Sequence, residues 1–257
     1  MSHSEARDEL LRITLLAQAW LLEQPRPELN TEQTYPPSES PAPAAPAATA
    51  IYGSASSSAP APVAHTAAID RAQALLALRA QIGDCARCAI ARDRHNLVFG
   101  QGSPYARLMI VGEGPGEQED LQGIAFCGPS GELLTKMLAA IGLARDEVYI
   151  ANVIKCRPPH NRDPLPEEVA NCRGWLDAQI DIIRPGLLCS AGSVAAKTLL
   201  GVQTGITRLH GVLQNYHGIP LVPTFHPAYL LRDPSRKKDA WKDLQYIQRL
   251  LSEIPDA

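Results

Sequence analysis

The period of the apolar positions changes along the chain, and each change marks a segment. Leu11, Leu15 and Leu22 recur at helical spacing, with Leu10, Ile13, Leu16 and Trp20 widening the stripe, which predicts a short amphipathic helix within residues 1–23. Across 24–66 the pattern disappears. Nine of the chain's 22 prolines sit there among Ala and Ser, and so few large apolar groups cannot offset the entropy of ordering the segment. A disordered linker is expected. Helical spacing returns with Ile69, Leu75, Leu76, Leu78 and Ile82 in a helix expected from Ala67, and a compact domain is expected over 67–257.

Four runs in that domain read as buried strands: Leu108 to Val111, Val148 to Val153, Leu187 to Ser190 and Pro220 to Phe225. Helical patterns lie between them. Ser130 is placed to cap a helix carrying Leu133, Leu134, Met137, Leu138 and Ile141, with Gly142 to end it, and 166–183, 193–200 and 238–251 read likewise. Strands alternating with helices predict an α/β fold whose mostly parallel sheet is covered on both faces. The first strand runs into Gly112-Glu113-Gly114-Pro115-Gly116, which can neither stay extended nor turn helical, so a loop opens at the carboxyl end of the sheet, where ligands bind in such folds. Glu113, Glu117, Glu119 and Asp120 would repel a phosphate, and the Lys-Ser/Thr of a phosphate loop is missing. A neutral ligand, or a water to be activated, suits the loop better.

Composition narrows the picture only in part. The 257 residues allow one sizeable domain with appendages, and a net charge of −3 gives no global nucleic-acid signature, so any basic surface is local. No apolar run approaches the roughly 18 residues a membrane span requires. The start, MSHSEARDELL, carries acidic groups and lacks the basic lead and apolar core of a signal peptide, which predicts a cytoplasmic protein. Six cysteines in a reducing compartment point to metal or redox chemistry before disulfides.

Three groups of residues carry chemistry. Cys85 and Cys88 form a C-x-x-C, and Cys156 and Cys172 follow at a distance; together they offer four sulfur ligands, for which zinc and an iron–sulfur cluster are both open. Cys127 and Cys189 read as buried small residues. In NVIKCRPPHNRDPLP, Asn152 ends an apolar strand with an amide that can donate and accept at once, as an amide-bearing nucleobase requires, and Lys155, Arg157 and Arg162 supply local positive charge suited to a phosphate backbone. In PTFHPAYLLRDPSRKK, His226 stands at a third strand end, held out of helix by Pro227. Leu230 and Leu231 beside Arg232 look like an apolar wedge flanked by phosphate contacts, or alternatively like caps on the core.

GEGPGEQED with Phe126, NVIKCRPPHNR and HPAYLLR, interleaved with the cysteines at 85, 88, 156 and 172, resemble the iron–sulfur family 4 uracil-DNA glycosylases from about Cys85 to Leu251. The resemblance, not the spacing, selects a [4Fe–4S] cluster. It implies a three-layer α/β/α sandwich around a four-stranded parallel sheet, in a monomer acting on uracil-containing DNA, single- or double-stranded. By position, Phe126 is similar to the aromatic that stacks on a flipped uracil, Asn152 to the amide that reads its edge, and His226 to the histidine that stabilises departing uracil at O2. The backbone around Glu113 and Gly114 is expected against the uracil, and Leu230 in the gap left by the extruded base. Gly114 stands where other uracil glycosylase families place an Asp, so Glu113 or Glu119 assists the attacking water, or the water is only positioned. His210 replaces a common Arg, Cys127 an expected aliphatic residue, and no basic loop of the covalently trapping relatives is present. The alternative is a non-catalytic, metal-stabilised DNA-binding module of a repair or replication assembly. The N-terminal helix is expected to pack on the domain or to dock a protein partner, and in the module reading it tethers the domain to that assembly.

Overall fold

The computed structural model describes residues 70–254. The amphipathic helix expected in 1–23 and the linker expected over 24–66 lie outside the described residues. The first helix, α1 (Arg71–Ile82), opens at Asp70, whose side chain accepts the Ala72 N–H at 3.2 Å.

Strands β1 (Gln101–Gly102), β2 (Leu108–Gly112), β3 (Tyr149–Asn152), β4 (Leu187–Ala191), β5 (Gln214–Tyr216) and β6 (Ile219–Thr224) form one sheet in the order β1-β3-β2-β4-β6-β5. The four runs expected from the sequence pair side by side in parallel, with Gly112 opposite Asn152 and Ala191 opposite Thr224. The sheet is nevertheless mixed and six-stranded, because β1 and β5 add antiparallel edges. β5 returns into β6 through a two-residue turn, His217 and Gly218, at φ 48° and 91°. Positive φ at both turn residues matches the twist of a hairpin, and Gly218 adopts it without steric cost.

Alternate residues of the central strands enter different cores. Met109, Val111, Tyr149, Ala151 and Leu188 pack with α1 and with α4 (Pro166–Ile183), which contributes Trp175, Leu176 and Ile180, and with Leu199 of α5 (Ser193–Leu200). Leu108, Ile110, Ile150, Leu187 and Val222 pack with Leu134, Met137 and Leu138 of α3 (Pro129–Ala140) and Leu244 and Ile247 of α8 (Lys237–Glu253). Period-two alternation thus feeds both faces, which is why these strands read as continuous apolar runs. Helix α3 begins one residue before the Ser130 expected to cap it, with Pro129 in its first turn and Gly128 as its cap. Three further α-helices among the described residues are short: α2 (Glu117–Gln122), α6 (Ile206–Leu209) and α7 (Pro227–Arg232). All six cysteines are free thiols, and no described helix is long and apolar enough to cross a membrane.

Candidate active site and cysteine pocket

Parallel strands align their carboxyl ends, so the loops after β2, β3, β4 and β6 open on one side of the sheet. They enclose a cleft of about 450 Å³ that brings together Glu113, Gly114, Glu119, Phe126, Asn152, Arg162, His226 and Arg232. The end of β4 contributes Gly192 and Ser193, and Asp163 also faces the cleft. Neither Asp163 nor Ser193 is singled out by the sequence motifs, although the rule that directs attention to three strand ends applies equally to the fourth.

His226 is the N-cap of α7, and its Nδ1 accepts the Ala228 backbone N–H at 3.1 Å. A nitrogen that accepts carries no proton, so the neutral ring holds its hydrogen on Nε2. Burial, reinforced by the Arg232 charge and only partly opposed by Glu119, pushes the imidazolium pKa down to about 4. The ring is stacked with that of Phe126, centroids 5.4 Å apart. Phe126 itself is buried at φ 53°, a left-handed backbone uncommon for an aromatic residue. Gly112 makes this packing possible: a Cβ there would overlap Asn152 Oδ1 and come within 2.6 Å of Phe126 Cζ. Asn152 is 2 % exposed, and its Oδ1 has no hydrogen-bond partner among the described residues. A buried acceptor left open at a cleft can take a hydrogen bond from a ligand donor.

The two carboxylates differ. Glu119 is buried with both oxygens engaged: Oε2 accepts the Gly116 N–H at 3.1 Å, and Oε1 accepts those of Cys127 at 3.0 Å and Gly128 at 3.1 Å. It ties the glycine loop to the turn carrying Phe126. Glu113 is half-buried; desolvation and then the nearby Asp163 charge raise its pKa to about 7, against a smaller lowering by Arg232. A carboxyl poised near neutral pH can accept a proton from water.

The residues expected to meet DNA divide. Leu230, expected as a wedge, is 1 % exposed and packed in the core, whereas Leu231, the next residue around the helix, is 45 % exposed. A helix advances about 100° per residue, so adjacent leucines cannot share one face. Lys155 is fully buried and leaves the expected basic patch. Arg162 is held by Glu168 in a bidentate pair at 2.8 and 2.6 Å, and Arg157 Nε donates to Asn161 Oδ1 at 2.7 Å, outside the cleft lining. Arg232 is exposed at the cleft. His210 lies with Nδ1 3.1 Å from Asp243 and packs on Phe225.

Cys85, Cys88, Cys156 and Cys172 line one separate pocket, although they come from the turn after α1, the segment after β3, and α4. The surroundings suit negative sulfur: Arg94 Nη1 donates to Cys156 Sγ at 3.2 Å and the Lys155 backbone N–H to Cys172 Sγ at 3.3 Å. Trp175 lines the same pocket, and its buried Nε1–H has no partner among the described residues. Burial raises the thiol pKa values of Cys88, Cys156 and Cys172, the last to about 11, and a bound cation would favour their ionised form. No three His, Cys, Asp or Glu side chains among the described residues gather closely enough to hold a single ion. Cys189 is buried within β4, its thiol pushed up to about 12, while Cys127 is half-buried.

An α/β cleft with a neutral, tautomer-fixed histidine, an aromatic wall and an open amide defines a site for a planar, hydrogen-bonding ligand. The chain belongs to the uracil-DNA glycosylase superfamily, whose profile matches residues 99–246. It is similar to the type-4 uracil-DNA glycosylase of Thermotoga maritima, 43% identical over 159 residues, covering 61% of this chain and 83% of that protein. The type-4 enzymes of Archaeoglobus fulgidus and Sulfurisphaera tokodaii are each 39% identical, covering 66% and 67% of this chain and 89% and 83% of theirs.

Proposed function

We propose that this chain extrudes uracil from DNA into the cleft and hydrolyses its N-glycosidic bond, leaving an abasic site for base excision repair. The observation that carries the reading is the His226 to Ala228 bond. It leaves a proton on Nε2 of a neutral ring, a donor for O2 of a uracil held against Phe126 and Asn152. As the C1′–N1 bond breaks, its electron pair goes to uracil, and the charge developing at O2 is stabilised by that donor. Water adds to the oxocarbenium-like C1′ and gives its proton to Glu113, while Glu119 fixes the loop that positions both. Extrusion costs a few kcal/mol, less from a mismatch, and only the extruded base reaches these groups. Leu231, Arg232, Arg157 and Arg162 hold the opened strand.

The four-cysteine pocket is the site of a [4Fe–4S] cluster. Four cysteines lining one pocket, with N–H donors from Arg94 and Lys155 on two of the sulfurs, are the residues that would hold it. When bound, the cluster would link the turn after α1, the segment after β3, and α4 through its thiolates, and a hydrolysis asks no electrons of it. Free thiols suit a reducing cytoplasm, and the protein acts as a monomer in which residues 1–23 serve a protein partner.

The test is an absorption spectrum and metal analysis of anaerobically purified protein, with uracil release from an oligonucleotide bearing one uracil. Broad absorption near about 400 nm with release of free uracil is expected. Stoichiometric zinc overturns the cluster, and tight DNA binding without uracil release restores the non-catalytic module.

A further inference from the structure

Lys155 is among the largest fully buried side chains, and no carboxylate pairs with it among the described residues. Its Nζ donates to two neutral acceptors, the Asn152 backbone carbonyl at 2.9 Å and Gln179 Oε1 at 2.6 Å. A buried ammonium without a counter-charge is costly, and ordinary folding does not retain one without compensation. The cysteine pocket adjoins it: Lys155 lines that pocket, and Cys172 Sγ accepts its backbone N–H at 3.3 Å.

Gln179 completes the connection. It lies two turns beyond Cys172 on the same helix, is itself fully buried, and donates Nε2 to the Phe99 carbonyl at 2.9 Å and to Tyr149 Oη at 3.1 Å. The two ends of β3, Tyr149 and Asn152, are thereby fixed to the helix that carries Cys172.

We propose that Lys155 is a positioning residue that couples the cluster to uracil recognition: its charge balances the cluster's thiolates, and its ammonium holds the strand end that aims the Asn152 amide. The inference rests on the cluster reading above. It accounts for a lysine where an apolar residue would pack at lower cost, and it gives a structural cluster a defined route to the cleft.

Lys155→Met keeps the length of the side chain and removes its charge. The variant is expected to retain iron, to bind free uracil and to cleave uracil-containing DNA at least tenfold less well, with duplex affinity unchanged. Its cluster should also have a more negative reduction potential, since a nearby positive charge favours the reduced state. A merely structural lysine would lower the melting temperature without moving the potential. If Lys155→Met does not fold, Gln179→Leu replaces it, with weakened uracil binding at full iron content as the expected result. Absence of iron from the wild-type protein defeats the cluster reading. With iron present, wild-type uracil affinity and potential in Lys155→Met, or wild-type uracil affinity in Gln179→Leu, overturn the coupling.

Discussion

Nδ1 of His226 accepts the backbone N–H of Ala228, so one bond both starts helix α7 and decides which face of the imidazole can donate. Because the donor acts chiefly where charge develops, His226→Ala should lower single-turnover cleavage about a hundredfold or more while barely altering affinity for uracil-containing DNA. The measurement is cleavage under enzyme excess beside the binding constant. With a pKa near 4, His226 stays neutral from pH 5 upward and should contribute no limb to the rate profile there. A wild-type cleavage rate in the folded variant removes His226 from the reaction.

Glu113 should supply the pH dependence instead. As acceptor of the water's proton it must be ionised, so cleavage should rise with pH through about 7. Asp163→Asn removes the like charge facing it and should move that midpoint to lower pH. Stability runs the other way. A carboxyl whose folded pKa lies above its unfolded value favours folding while protonated, and this contribution falls away from about pH 4.5 to 7. Glu113→Gln should therefore be inactive yet melt higher than wild type at pH 8. An unshifted rate profile in Asp163→Asn would place the titrating group elsewhere.

The glycosylase domain is proposed to span 67–257, a range that includes every cleft and pocket residue. A protein lacking 1–66 should excise uracil from naked DNA at close to the full rate. Loss of most activity in a folded truncated protein would move the boundary toward the N-terminus.

Exposure separates two neighbouring leucines. Leu230→Ala should cost about 2–5 kcal/mol in a denaturant titration, as core truncations do, whereas Leu231→Ala should change stability by about 0.5 kcal/mol or less. The second variant should instead slow excision from duplex more than from single strands, since only a duplex leaves a gap to fill. Equal effects on both substrates would show that Leu231 is no wedge.

The sequence order alone cannot separate those leucines, because a six-residue helix offers too little periodicity to choose its inner face. The central strands were legible since they are buried on both sides and read as unbroken apolar runs; β1 and β5 are two and three residues long and largely polar, leaving no such trace. The turn at His217-Gly218 was the available sign of a hairpin. Asn152, Glu113 and His226 stood out as polar residues at or just beyond the ends of apolar strands, where parallel pairing brings them together. Lys155 misled for the same reason: a cation next to Arg157 reads as surface charge, and only the path of the chain between Asn152 and Cys172 turns it inward.

Asn152 combines deep burial with an unsatisfied Oδ1, so its substitution is the sharpest probe of recognition. The amide can accept from uracil N3–H through Oδ1 and donate to O4 through Nδ2. In Asn152→Asp the carboxylate only accepts, leaving O4 facing a lone pair, and its charge is raised into a buried site. Sites built on paired hydrogen bonds reject the wrong partner by large factors because buried groups then go unmatched. Asn152→Asp should lower uracil cleavage about a hundredfold or more and narrow its preference over cytosine, whose N4–H₂ offers the carboxylate a donor. Single-turnover cleavage of oligonucleotides carrying one uracil or one mismatched cytosine reads both effects. Asn152→Ala distinguishes the loss of a partner from the arrival of a repulsive one: it should lose activity on uracil without gaining any on cytosine. Unaltered uracil excision in Asn152→Asp would place base recognition on another element of the cleft.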